Sequence, residues 1–212
     1  MNASGQGAED MAARLDVRAV ACRRGGRILF SGLTFALAPG EAALVGGANG
    51  VGKSSLLRMI AGLVPHFAGQ TIMTGALALA DDRIALDADL PLGRALAFWA
   101  AIDGARARVG EALDALALSS LSDVPVRILS TGQRKRAVLA RVVASGAPIW
   151  LLDEPANGLD TASVALLGAA VERHLANGGI VVAASHQPLP WTSAIGLTLS
   201  RPNHAGDDEA ET

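Results

Sequence analysis

The chain has no tyrosine, one cysteine, two lysines and no long uninterrupted apolar run, and each shortage narrows what it can be. A lone cysteine, Cys22, cannot form an internal disulfide and suits a reducing compartment. The most apolar region, residues 138 to 152, is cut by Arg141, Gly146 and Pro148, so nothing reaches the roughly 18 consecutive apolar residues of a spanning helix. A net charge of −2 leaves no basic footprint for nucleic acid. The N-terminus lacks a basic flank followed by an apolar segment, which predicts no secretory signal. No internal repeat is visible. Apolar residues, by contrast, are plentiful. They make up 50% of the chain against 18% charged, with a mean hydropathy of +0.35. Parallel strands covered on both faces account for part of that excess, and a surface docked on a membrane partner for more. The 212 residues suffice for one α/β domain with a sizeable core and a small subdomain.

The most informative stretch is Gly47-Ala48-Asn49-Gly50-Val51-Gly52-Lys53-Ser54, which fits G-x-x-x-x-G-K-[ST], the phosphate-binding loop. Its context is right. Residues 41–45 read as a short buried strand, and residues 54–62 read as a helix closed by Gly62. Three glycines let the backbone bend around an anion and aim its N–H groups inward, while the helix N-terminus adds positive potential. Lys53 reaches the β- and γ-phosphates as a compact charge, and the Ser54 hydroxyl is a ligand for Mg²⁺. Ser55 follows within the same nucleotide-binding segment.

Around this loop the chain alternates strands and helices. Residues 1–14 are small and polar and predict disorder. Leu15–Ala21 and Leu33–Ala38 read as strands separated by the turn at residues 23–27, and residues 69–86 hold short β-like pieces. Leu92–Leu118 is Ala/Leu-rich and predicts two helices broken near Gly104, part of a helical subdomain spanning about 88–145. Ser130 opens a helix to Ala144 with Val138, Leu139, Val142 and Val143 on its apolar side. Pro148–Leu152 and Ile180–Ala184 are buried strands. Between them Thr161–Leu175 is a helix with Val164, Leu167, Val171 and Leu175 inward, capped by residues 177–179. A single domain over 15–200 results, followed by an acidic tail, 201–212.

Three further sets of residues carry chemistry. Residues 149–154 form an apolar strand ending in two carboxylates. In a phosphate-loop enzyme Asp153 holds Mg²⁺ through its water shell opposite Ser54, and Glu154 polarises the attacking water as general base. Ser130-Thr131-Gly132-Gln133 opens a helix with a Ser cap and a glycine, which serves either as an ordinary cap or as a second anion site. His186 directly follows a buried strand, a position that faces the nucleotide if that strand is parallel.

Taken together these residues resemble the ATP-binding-cassette ATPases, over nearly the whole chain. The order carries the resemblance: phosphate loop, Leu129–Gln133 signature, Asp153-Glu154, the Gly158-Leu159-Asp160 dimer loop, then His186 as the switch. It implies an α/β phosphate-loop NTPase fold with a mostly parallel core sheet, an antiparallel β subdomain and a small helical subdomain. It also implies ATP and Mg²⁺, catalysis by Glu154 and His186, and a head-to-tail dimer sandwiching two ATPs. In such a dimer each γ-phosphate is touched by the partner's Ser130 and Gly132. Residues 22–30, 96–99, 147–150 and 186–189 are similar to the haem-exporter ATPases of cytochrome c maturation. That resemblance implies an integral membrane subunit as partner, no nucleic acid, and a peripheral place on the cytoplasmic face of the inner membrane.

Two departures from the family stand out. The glutamine usual in the loop joining core to helical subdomain is missing from residues 84–89, where Asp87 is the candidate for sensing the γ-phosphate. The aromatic that usually stacks on adenine is replaced by Arg24 or Arg23, whose guanidinium plane can stack on a base. The alternatives are an exporter of another small molecule, or a soluble cassette ATPase acting on nucleic acid or the ribosome. The latter class usually carries a coiled-coil insertion or two cassettes, for which this chain has neither room nor basic charge. The chain also lacks C-x-x-C-H, and Cys22, His66, His174 and His204 are scattered, so it is not expected to bind haem itself.

Overall fold

The computed structural model describes residues 12–83, 85–191 and 193–201. Residues 1–11 and 202–212, and with them His204 and nearly all of the expected disordered N-terminus and acidic tail, lie outside that range. Two sheets are present among the described residues. β1 (Arg14–Arg24), β2 (Arg27–Leu37) and β4 (Ala68–Thr74) form an antiparallel sheet in the order β2-β1-β4. β3 (Ala42–Gly46), β5 (Leu77–Ala80), β6 (Ile149–Asp153), β7 (Ile180–Ala184) and β8 (Ala194–Thr198) form a parallel sheet in the order β5-β6-β7-β3-β8.

The apolar excess of the sequence is explained by this second sheet. Every residue of β6 and β7 is buried. Alternate side chains enter two different cores. Ile149, Leu151, Ile180 and Val182 join the core under the antiparallel sheet, while Trp150, Leu152, Val181 and Ala183 join the helical core. A parallel strand covered on both faces needs no polar alternation, so it reads as a continuous apolar run.

Five α-helices are present among the described residues. α1 (Lys53–Ile60) follows the phosphate loop; it has only eight residues, too few to be stable alone. Its Leu56 and Leu57 are fully buried, each contributing about 1.5–3 kcal/mol, and that packing holds it. α2 (Leu92–Ile102) and α3 (Val109–Ala115) pack on α4 (Thr131–Ser145), and α5 (Thr161–Ala176) on β7. Gly146, at φ 69, ends α4 in the left-handed conformation that glycine adopts without penalty.

The reading from sequence needs three corrections. β2 begins at Arg27, six residues before the expected Leu33, because Gly25 and Gly26 (φ 54 and 80) make a tight two-residue hairpin rather than a longer turn. β8 has no counterpart in the expected elements; it is a half-exposed edge strand with a central glycine and lacks the apolar run that marks β6 and β7. After Ala80 the β-like stretch stops at once, and Asp81 and Asp82 turn the chain.

Candidate nucleotide site

β3, β6 and β7 deliver their C-terminal ends to one edge of the parallel sheet, the place where open α/β sheets bind ligands. The phosphate loop leaves β3 there. Gly47 (φ 131) and Gly52 (φ 111) are required by shape as well as by backbone angle. A Cβ on Gly47 would sit 2.6 Å from the Leu199 carbonyl, and one on Gly52 would meet the Phe30 ring at 3.0 Å. With glycine at its N-cap, α1 offers its first N–H groups to an anion rather than to a side chain. Lys53 is 7% exposed and its Nζ donates to the Gly47 carbonyl at 3.0 Å, curling back over the loop.

β6 brings Asp153 and Glu154 alongside. Burial pushes the Asp153 carboxyl above its usual range, with the Ser54 hydroxyl beside it pulling the other way. Its Oδ1 is buried without a hydrogen-bond partner among the described residues. An orphaned carboxylate oxygen next to a hydroxyl fits a hard divalent cation, so Ser54 and Asp153 suit Mg²⁺.

Glu154 sits at φ 45, a left-handed conformation that costs a residue with a Cβ about 1–2 kcal/mol. Its N–H donates to the Ala184 carbonyl at 2.8 Å, which anchors the turned backbone to the end of β7. That turn aims the side chain at two partners. His186 Nδ1 lies 2.8 Å from Glu154 Oε2, and Lys53 Nζ lies 3.9 Å from Oε1. Lys53, Ser54, Asp153, Glu154 and His186, spread over more than 130 residues of sequence, therefore form one cluster.

Other expected site residues stand elsewhere. Ser130 and Gln133 form a reciprocal capping box at the start of α4: the Ser130 N–H donates to Gln133 Oε1 at 2.8 Å, and the Gln133 N–H to Ser130 Oγ at 3.3 Å. A Cβ on Gly132 would lie 3.6 Å from the Gly158 carbonyl, so signature and dimer loop adjoin in one chain. Among the described residues no hydrogen bond links residues 130–133, including Thr131, to the phosphate loop. The Asp160 carboxylate caps α5 by accepting from the Ser163 N–H at 2.8 Å, and the Ser163 contacts lower its pKa.

Of the two candidate base-stacking residues, Arg23 is engaged: its guanidinium lies 4.4 Å over the Phe67 ring. Arg24 closes the hairpin opposite Arg27. The Ser55 hydroxyl meets the Cys22 thiol, whose pKa burial raises. Asp87 is spent locally, accepting from the Asp89 N–H at 2.9 Å. The carboxylates that act on Asp153 are instead Glu154 and Asp82, and Arg58 from α1 bridges Asp81 (3.2 Å) and Asp82 (3.4 Å). The sequence reading missed this pair. Its signal was the register, since Ala80 pairs with Leu152 and so sets Asp81 beside Asp153.

A parallel sheet with a phosphate loop after β3 and a carboxylate pair after β6 defines a phosphate-loop NTPase. Within that class the chain belongs to the ABC transporter family, which it matches over residues 30–157. It is 56% identical over 187 residues to the cytochrome c biogenesis ATP-binding export protein CcmA of Zymomonas mobilis, covering 88% of this chain and 85% of that one. The protein of the same name from Novosphingobium aromaticivorans is 57% identical over 170 residues, covering 80% and 87%. Among solved structures, an ABC transporter ATP-binding protein from Pyrococcus furiosus superposes with a TM-score of 0.77 at 21% identity, covering 88% of this chain and 97% of that one. An inward-facing metal-chelate-type ABC transporter gives 0.78 at 24%, covering 89% and 80%. These two likenesses concern the fold.

Proposed function

We propose that the chain is the ATP-hydrolysing subunit of an ABC exporter serving c-type cytochrome biogenesis, with haem as the cargo of the complex. The Glu154–His186 pair beside Lys53 carries the ATPase part of this reading. Lys53 and the N–H groups of Gly50 to Ser54 hold the β- and γ-phosphates. Glu154 takes a proton from the water whose oxygen attacks the γ-phosphorus, while the bond to the bridging oxygen breaks and ADP departs. His186 fixes the Glu154 carboxylate toward that water. Ser54 and Asp153 would hold Mg²⁺, which when bound would neutralise charge on the phosphate oxygens. Two copies, head to tail, enclose two ATPs, with Ser130 and Gly132 of one completing the site of the other and Asp160 at the junction. Ser130 and Gln133 already cap each other, so the anion is received by a preformed helix start.

Among the described residues no helix is long and apolar enough to cross a membrane. A separate integral membrane subunit supplies the pore, and this chain works on it from the cytoplasmic face of the inner membrane. α2 is the docking element. Phe98 and Ile102 are 57% and 63% exposed on it and border a cleft of about 470 Å³ with Leu90, Arg94 and Ala101. Trp99 ties α2 to the segment after β5 by donating Nε1–H to the Ala85 carbonyl at 2.6 Å. Cargo contacts belong to the membrane subunit: Cys22 is buried in β1, His66 pairs with Thr71 and His174 stacks on Trp150.

The test is chromosomal Glu154→Gln in a host that makes c-type cytochromes. Covalent haem attachment should disappear while b-type haem proteins stay normal. Normal c-type cytochromes would remove the haem-export reading and leave the ATPase standing. Co-purification of an integral membrane protein with the wild-type chain checks the partner.

A further inference from the structure

Ser185 follows β7 directly and stands between the core sheet and His186. It is 5% exposed, so its hydroxyl needs partners within the protein. It finds both in one residue. Oγ donates to the Gln187 carbonyl at 2.8 Å and accepts from the Gln187 N–H at 3.0 Å. The Ser185 N–H donates to the Val45 carbonyl at 3.1 Å, near the end of β3 where the phosphate loop departs. The backbone of His186 is thereby held on either side, by Ser185 on β3 and by Gln187 on the Ser185 hydroxyl.

The consequence appears at Glu154. His186 turns its Nδ1, at 2.8 Å, and its own N–H, at 3.4 Å, to the same oxygen, Oε2. At the other ring nitrogen, the Gln187 amide nitrogen lies 3.4 Å from Nε2. The His186 side chain is 47% exposed, so burial alone does not fix the ring. A serine bonded to the backbone two residues on is often a plain turn former. We propose that Ser185 is a positioning residue for hydrolysis, its hydroxyl locking the turn that presents His186 to Glu154. This rests on the reading of the Glu154–His186 pair as the hydrolytic machinery. Gln187 is exposed, so water can replace the hydroxyl at both its backbone groups. Losing the hydroxyl therefore spares the fold and nucleotide binding, and loosens His186.

The experiment is single-turnover hydrolysis of radiolabelled MgATP by the full chain in excess, with ATP affinity and Tm measured alongside. Ser185→Ala and Ser185→Cys, the second keeping the volume, should each slow hydrolysis about tenfold at unchanged ATP affinity, as a modest misplacement of a reacting group does. Ser185→Thr, which keeps the hydroxyl, should restore the rate. The deciding measurement repeats Ser185→Ala in a His186→Ala background. There the hydroxyl has nothing left to position, so the rate should fall no further. The proposal is overturned if Ser185→Ala and Ser185→Cys match wild type, or if a folded Ser185→Thr is as slow as Ser185→Ala. It is overturned equally if Ser185→Ala costs the same factor in both backgrounds, as a general loss of stability would. A slow His186→Ala beside unaffected Ser185 variants removes this inference and leaves the pair standing. A His186→Ala rate equal to wild type removes both.

Discussion

His186 Nδ1 and Glu154 Oε2 stand 2.8 Å apart, joining the segment just past β7 to the residue that follows β6. The pairing depends on Glu154 taking a left-handed backbone, since an extended residue there would continue β6 and carry its side chain away. Strain of this kind persists only where surrounding contacts over-determine it. Here the Glu154 N–H on the Ala184 carbonyl, and its carboxylate between His186 and Lys53, do so.

Glu154→Gln should keep ATP binding while turnover falls by about 10² or more, the usual loss when a positioned base is removed. The variant should accumulate as an ATP-dependent dimer, because the enclosed state forms without discharging. Steady-state kinetics and light scattering read the two effects. Turnover near wild type would take the proton-accepting role away from Glu154.

Ser130→Arg should leave ATP binding to the monomer intact and abolish hydrolysis. The Ser130 side chain is bonded to Gln133 of its own helix and, among the described residues, has no hydrogen bond to its own phosphate loop. A large cation at this helix start therefore blocks closure of the dimer and nothing earlier. Binding measured by calorimetry should match wild type. A lost affinity would mean that signature and loop serve the same nucleotide.

Arg24→Ala should raise the ATP dissociation constant by a stacking increment of about 0.5–2 kcal/mol. Arg23→Ala should do less to nucleotide affinity, because Arg23 already lies on Phe67. Inorganic triphosphate is the control. If its affinity falls as much as that of ATP in Arg24→Ala, the guanidinium contacts phosphate and not the base.

His174 should make the fold sensitive to mild acid. Its ring stacks on Trp150 at 3.8 Å, its Nε2–H donates to the Pro148 carbonyl at 3.1 Å, and burial lowers its pKa to about 4. A depressed pKa means the unfolded chain binds the extra proton first. Stability is then complete above about pH 6.5 and falls as pH drops from there toward 4, by about 3 kcal/mol in all. His174→Gln should flatten the fall in Tm across that window. An identical pH profile in the variant would place the acid sensitivity elsewhere.

The sequence was sufficient for the loop, the helices that follow it and the signature segment, and the acidic pair, because each is a local pattern. Gly47, Gly50, Gly52 and Lys53 fall within one short motif, and Ser130 and Gln133, three residues apart, cap each other through their side chains. β6 and β7 were legible because burial on both faces leaves an uninterrupted apolar run. β8 was not, since an edge strand needs only one side paired and half its residues face outward.

What only the tertiary structure decided are relationships set by register and by packing between distant segments. Asp82 acts on Asp153, and Arg58 bridges it to Asp81, because β5 pairs with β6 and ends immediately before them. Arg23 rather than Arg24 is held against an aromatic ring, because Phe67 lies beneath it. Lys135 meets the Asp153 carbonyl across 18 residues of chain. None of these follows from composition or spacing, since a side chain's charge is written in the sequence but the neighbours that set its energy are chosen by the fold.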